Sequence, residues 1–294
     1  MVPIEEIFCD IDNFCKAFFP QFEGNLVTDG NARRQRALRM SASEIMTILV
    51  LFHLSQYRTF KHFYLDCVLR QMRGHFPTPL SYNRFVEVQG RVFPALAAYL
   101  QSKCGKQTGL YYVDSTALAV CRNQRILRHQ TFDGLAERGK SSMGWFFGFK
   151  LHIVINHLGE LIACCFTPGN KDDRKVLHRL FKGLKGLAAG DKGYIGKRHA
   201  EKLAEHGLTL ITKTKRNMKP VERSAFEKFF LAKRAIVEAV IGQLKEVCQI
   251  EHTRHRKPDN FFINALAALI AYCLKPRKPS INLKAIAQSY LIPN

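Results

Sequence analysis

The apolar residues of this chain change their period near residue 105, and that change limits what each half can fold into. Before it they recur every three to four residues, the repeat of one helix face; after it they alternate, the repeat of a strand. Ser41 and Glu44 stand at the S-x-x-E spacing of a capping box. Ile45, Ile48, Leu49 and Phe52 follow at i, i+3, i+4 and i+7, which predicts a helix. A second helix carries Phe60, Phe63, Tyr64, Cys67 and Val68 on one face. A third starts near Ser81 and runs through Phe85, Val88, Val92, Leu96, Tyr99 and Leu100. Three helices on short links suit a helix-turn-helix reader of DNA or a bundle that only packs or dimerises, and period alone does not choose between them.

From Gly109 the pattern predicts strands at Leu110 to Leu118, Phe147 to Asn156 and Leu161 to Thr167, the last two joined by a His-Leu-Gly-Glu turn. A helix follows with Val176, Leu177, Leu180 and Phe181 as its apolar face. Then come a short strand at Leu187 to Gly190, a helix near Arg198 to His206, a strand at Leu208 to Thr212 and one long helix from about Arg223 to Val247. The succession β-β-β-α-β-α-β-α is that of a ribonuclease-H-like fold, whose mixed sheet sets its first and fourth strands side by side. The expected class is therefore α+β. Residues 1–108 are expected to form a helical domain suited to binding DNA, 109–275 the mixed-sheet domain, and 276–294 a basic tail.

Charge narrows the partner. Lys and Arg number 45 against 24 Asp and Glu, a formal excess of +21 spread along the chain, so a polyanion is the natural ligand. A membrane surface is the other candidate. The longest nearly apolar stretch, Phe261 to Leu274, is too short to span a bilayer and carries Asn264, and it reads as a buried helix. The N-terminus has neither a basic start nor a long apolar run, so no secretory signal is expected and the protein should stay in the cytoplasm, with the nucleoid. The nine cysteines include no C-x-x-C pair, which suggests reduced, mostly buried thiols in place of a zinc site or a disulfide framework.

Three carboxylates carry the chemistry that such a chain can perform. Asp114 lies inside an apolar strand, Gly-Leu-Tyr-Tyr-Val-Asp-Ser-Thr, where burying a carboxylate is costly unless something pairs with it. Asp191 ends the fourth strand in Ala-Gly-Asp-Lys-Gly-Tyr, so the two aspartates come from neighbouring strands, although either alone could be a turn or cap residue. On the long helix Arg234, Glu238 and Lys245 share one face at about 100° per residue. An Arg234–Glu238 surface ladder is the plainer alternative. Phosphodiester chemistry needs an activated oxygen nucleophile and a stabilised leaving oxygen. Two divalent ions roughly 3.5 to 4 Å apart supply both when carboxylates hold them, and hard oxygen ligands select Mg2+ or Mn2+.

On these residues the chain resembles a bacterial insertion-sequence transposase of the DDE class, most of all the 982-type group. Val113 to Thr116 match its V-D-S-T strand, and Gly190, Asp191, Gly193 and Tyr194 its G-D-x-G-Y segment. Arg234, Glu238 and Lys245 match the last three positions of its Y-x2-R-x3-E-x6-K signature, while Leu231 stands where that signature has tyrosine. The run at 252–257 with the following Asn-Phe-Phe matches its closing segment. The resemblance implies cleavage at the ends of an insertion element and attack of the freed 3′-hydroxyl on target DNA. It also implies Asp114, Asp191 and Glu238 as catalytic metal ligands for two ions, phosphate contacts from Arg234 and Lys245, and a homodimer on double-stranded DNA. The alternatives are a nuclease of the same fold without strand transfer and a non-catalytic DNA-binding regulator.

Other groups are weighed more lightly. Arg122, Arg125, Arg128, Arg138 and Lys140 crowd the link between the first two strands, and Lys213, Lys215 and Arg216, with Lys219, the link into the last helix. Both sets are expected to contact DNA. Asp172 and Asp173 read mainly as helix caps, His152 as a structural residue, and Trp145 as strand-core or hairpin packing rather than a stacking platform for a base.

Overall fold

The computed structural model describes residues 3–26, 38–219, 221–251 and 255–282. The basic run and the tail therefore fall partly outside the described residues, at 252–254 and 283–294. The chain divides into two compact units, one of residues 1–103, 130–132 and 243–276, the other of 104–129, 133–242 and 277–294.

The first unit is helical: α1 (Ile4–Leu26), α2 (Ala42–Leu54), α3 (Phe60–His62, running on as a π-helical stretch Phe63–Gln71), α4 (Tyr82–Val88), α5 (Phe93–Ser102) and a late helix at Pro258–Leu274. Helix α2 starts on the expected capping box, with the Ser41 side chain accepting from the Glu44 N–H and the Glu44 carboxylate accepting from the Ser41 N–H. The run expected as one helix from Ser81 breaks into α4, a 3-10 turn at Gln89–Val92 and α5. Pro94 at the start of α5 accounts for the break, because proline lacks the N–H that an unbroken helix would need there. The late helix is buried along nearly its whole length from Asn260 to Tyr272 and packs on α2 and α5. By its place in the sequence it was expected within the mixed-sheet domain at 109–275. A helix apolar all round needs partners on every side, and α2, itself buried along Ser43–His53, is one of them.

The second unit is built on a mixed sheet: β1 (Leu110–Cys121), β2 (Glu137–Ser141), β3 (Gly144–Asn156), β4 (Leu161–Pro168), β5 (Gly186–Gly190) and β6 (Leu208–Thr212). The order is β2-β3-β1-β5-β6. β4 joins β3 on the same side as β2 but along its later half: β2 pairs with Gly144–Gly148 and β4 with Phe149–Ile155. β1 runs antiparallel to β3 and parallel to β5. Strand β2 was not expected, since Glu-Arg-Gly-Lys-Ser has no apolar alternation, and pairing with β3 holds it in place. Gly139 lets it lie against the end of β4 as well: a Cβ there would lie 2.2 Å from the Gly169 carbonyl oxygen.

Alternation along β1 decides which side chains meet. Tyr111 and Val113 face the core shared with α6 (Leu177–Leu180) and α7 (Lys197–Glu205), which also holds Val176, Phe181, Tyr194 and Leu203. Tyr112 points the other way, its ring 4.4 Å from that of Phe230 and its hydroxyl donating to the Phe230 carbonyl. Phe230 belongs to α8 (Ala225–Ala232), which begins on a capping box of Ser224 and Glu227. The long helix expected at Arg223–Val247 is in fact α8, a turn at Lys233–Arg234, α9 (Ala235–Gly242) and a π turn at Gln243–Val247. At the turn the bonding tightens to Ile236 N–H to Lys233 O and Val237 N–H to Arg234 O. Among the described residues no helix is long and apolar enough to cross a membrane, and the cysteines are free.

Each unit buries an imidazole. His53 on α2 binds the Cys248 carbonyl oxygen, and His152 on β3 pairs through Nε2 with the Thr167 hydroxyl. Burial pulls both from the usual 6.5 down to about 4. The folded chain thus holds these rings neutral where the unfolded chain protonates them. Their contribution is intact above pH 6.5 and is lost as pH falls towards 4, by up to about 3 kcal/mol each. Denaturant unfolding between pH 7.5 and 4.5 should show this decline, and a smaller one in His152→Gln, whose amide can replace the bond to Thr167. A stability flat across that window would mean that the rings titrate as they do in water.

Candidate active site

Asp114 and Asp191 reach the site at matched height on adjacent strands. Tyr112 of β1 pairs in register with Ala189 of β5, so Asp114 and Asp191 each stand two residues further along parallel strands. Asp114 is an even-numbered residue of β1 and lies on the α8–α9 side with Tyr112. Helix α9 packs against β1 and brings Glu238 to the same place. The turn at Lys233–Arg234 supplies the fourth member. The Arg234 guanidinium lies 3.4 Å from Asp114 Oδ2 through Nη1, and 2.6 Å from Glu238 Oε1 and 3.9 Å from Asp191 Oδ1 through Nη2. Three carboxylates from a mid-sheet strand, a strand end and a helix thus surround one cation. The Arg234 and Asp114 side chains are each 19% exposed, against 55% for Asp191 and Glu238.

Burial pushes the Asp114 carboxyl up to about 6; the Ser115 N–H bonded to its Oδ1 and the nearby Arg234 oppose that rise, while Asp191 and Glu238 add to it. These groups line a cleft of about 450 Å3 that also takes in Lys140, Lys150, Asp173 and Tyr194. As for a metal, the donor set fits a hard divalent cation, being all carboxylate. The spacing is that of an arginine cluster: among the described residues no three His, Cys, Asp or Glu side chains are grouped so as to hold an ion.

Ser115 alternates to the opposite face of β1 and meets a carboxylate that the sequence suggested mainly as a helix cap. Its hydroxyl donates to Asp173 Oδ2 at 2.9 Å, and Lys150 Nζ donates to Asp173 Oδ1 at 2.8 Å and to the Lys171 carbonyl. Asp172 is the cap that was expected of the pair, its side chain accepting from the Arg174 N–H and binding the Arg174 guanidinium. Asp173 instead turns into the cleft, and the helix behind it is only a 3-10 turn at Asp173–Val176 followed by the single turn of α6. The Tyr194 hydroxyl is buried beside Ser115, Asp173 and Asp114, and burial, with those carboxylates adding to it, holds it well above the usual tyrosine value. The one sequence signal for Asp173 was a second carboxylate beside one already suited to capping.

A family model described as "Transposase DDE domain" matches residues 104–258, more than half of the chain. The chain belongs to the DDE transposases. Among solved structures, the transposase is similar to the piggyBac transposase in its synaptic complex with hairpin DNA, at 11% identity and a TM-score of 0.46, over 97% of this chain and 77% of that one. That likeness is too faint to carry an argument. No curated protein matches it.

The other basic residues expected to meet DNA fall into four places in the transposase. Arg122, Arg125 and Arg128 lie exposed at the 3-10 turn Asn123–Arg128 after β1. Arg138 and Lys140 project from β2, and both stand over the Trp145 ring, at 5.0 and 5.7 Å from its centroid. Trp145 is half exposed and packs in the β2–β3 hairpin under these two cations, outside the strand core. Lys213, Lys215, Arg216 and Lys219 are exposed on the loop after β6. Lys245 stands in the π turn Gln243–Val247 of the helical unit and pairs with Glu251 at 3.0 Å.

Proposed function

We propose that this transposase hydrolyses a DNA phosphodiester at the ends of an insertion element of the 982 type and joins the freed 3′-hydroxyl to target DNA. The observation that carries the reading is the convergence of Asp114, Asp191 and Glu238, from three separate segments, on one guanidinium in an open cleft. A site for a shared cation is what phosphodiester exchange requires. Asp114, Asp191 and Glu238 would hold the divalent ions, two of Mg2+ or Mn2+, which supply an activated oxygen nucleophile and stabilisation of the leaving oxygen.

This chain's own residues do the rest. Arg234 neutralises the carboxylates at rest and is the group best placed to meet a phosphate that enters the cleft. Lys140 and Lys150 add cationic charge along the cleft wall, and Ser115 holds Asp114 through its backbone N–H. The sheet order supports a ribonuclease-H-like reading, with the Asp114 strand between an antiparallel and a parallel neighbour. The excess of +21 fits double-stranded DNA as the partner, with the exposed arginines and lysines after β1, on β2 and after β6 as its contacts. The N-terminal helices would serve recognition of the element ends, two copies of the chain would hold the two ends, and the protein would work in the cytoplasm on the nucleoid.

The test is incubation with candidate end duplexes and Mg2+, read on a denaturing gel. Nicking at the element boundary followed by slower-moving joined product is expected. Nicking without joined product from pre-cut ends would reduce the reading to a nuclease, and binding without nicking to a regulator.

A further inference from the structure

Helices α6 and α7 enclose a second cavity, about 750 Å3, outside the catalytic cleft. Its floor is apolar, made by Leu177, Phe181 and Leu203, all buried. Its rim is cationic: Lys175, Lys182, Arg198 and Lys202, all exposed, with His178 and His199 between them and Glu205 as the acidic exception. Among the described residues Lys182, Arg198 and Lys202 enter no ion pair, and Lys175 acts on Asp172 only through space. Like charges converging on one concavity repel one another, and that repulsion is relieved when an anion enters. The same two chain segments also line the catalytic cleft, since Asp173 precedes Lys175 by two residues and Tyr194 precedes Arg198 by four. Groove and cleft thus lie within a few residues of each other along both segments, close enough for one extended duplex to reach both.

We infer that the α6–α7 groove is a second backbone-binding track for double-stranded DNA, gripping phosphates of the duplex that leaves the catalytic cleft. This rests on the proposed action on DNA. A track of this kind reads no sequence: lysine and arginine on phosphates fix position and add affinity, and every contact releases a counterion. The rim side chains are exposed and enter no core, so they can be replaced together without unfolding the unit.

The experiment measures binding of a 40-base-pair duplex by fluorescence anisotropy across a salt series. It compares wild type, a variant carrying Lys175→Ala, Lys182→Ala, Arg198→Ala and Lys202→Ala, and one with the three lysines changed to Arg. In the alanine variant the slope of log affinity against log salt is expected to fall by about three to four, and low-salt affinity by at least about tenfold, with an unchanged melting temperature. The arginine variant should keep the wild-type slope, and nicking at saturating duplex should stay at the wild-type rate. An unchanged slope in the alanine variant, with wild type binding normally, overturns the groove track while leaving the proposed function intact. Loss of binding to a polyglutamate probe but not to duplex would also overturn it, pointing to an acidic protein. If wild type itself binds no duplex, the DNA reading is what fails.

Discussion

Asp114→Asn, Asp191→Asn and Glu238→Gln should each lower nicking of end DNA by at least about a thousandfold, the rate equivalent of about 4 kcal/mol of lost transition-state stabilisation. The amides keep shape and hydrogen-bonding capacity but cannot share a divalent cation, so the loss should fall on chemistry and leave duplex binding in place. Stability separates this from unfolding. The buried Asp114 carboxyl titrates near 6 instead of its ordinary 3.8, so the folded state pays for the ionised form above pH 6 and gains as pH falls from about 6 towards 4. Asp114→Asn should therefore be no less stable than wild type at pH 7.5 and should lack that gain on acidification, even as the buried imidazoles pull the other way. Asp133→Asn, at an exposed position outside the cleft, is the control. Near-normal nicking by any one of the three amide variants would remove that residue from the chemistry.

How much of this was legible in the sequence differs from element to element for physical reasons. The strands carrying Asp114 and Asp191 are apolar runs in a sheet covered on both faces, so their pattern survives without knowledge of the partner. Strand β2 has no such pattern, because its pairing with β3 is made by backbone groups and its Arg138 and Lys140 lie on Trp145, a contact that appears only once the hairpin has closed. The break at Lys233–Arg234 was hidden because neither residue is a helix breaker. The turn costs little in intrinsic propensity, and the bond that Arg234 makes to Asp114, 120 positions away in sequence, helps to fix it. Asp173 was read as a cap because Asp172 and Asp173 look alike in one dimension; the alternation that sends Ser115 and Asp114 to opposite faces of β1 tells them apart. Phe261 to Leu274 was legible as a buried helix, but its packing on α2 and α5 spans more than 150 residues of sequence, beyond what local period can show.

Arg234 gives the second large expected effect. The surface-ladder reading makes it the partner of Glu238 alone. Removing it should then cost no more than about half a kcal/mol, and Glu238→Gln should reproduce the loss. The geometry makes it the common counter-charge of three carboxylates, only 19% exposed, with Asp114 the most deeply buried of the three. Taking it away leaves that cluster uncompensated, and Arg234→Ala should lose about 2 kcal/mol in metal-free buffer, more than Glu238→Gln does. Arg234→Lys should recover only part of this, because one ammonium cannot set two nitrogens against separate carboxylates. A divalent cation offers the same three side chains another partner, so millimolar Ca2+ or Mg2+ should raise the melting temperature of Arg234→Ala by several degrees more than that of wild type, whose own guanidinium competes for the place. Nicking by Arg234→Ala should still fall by about a hundredfold, since the phosphate loses its nearest guanidinium whatever the carboxylates hold. Equal metal-free stability of Arg234→Ala and wild type, with equal shifts on adding the cation, would sink the counter-charge role and return Arg234 to the ladder.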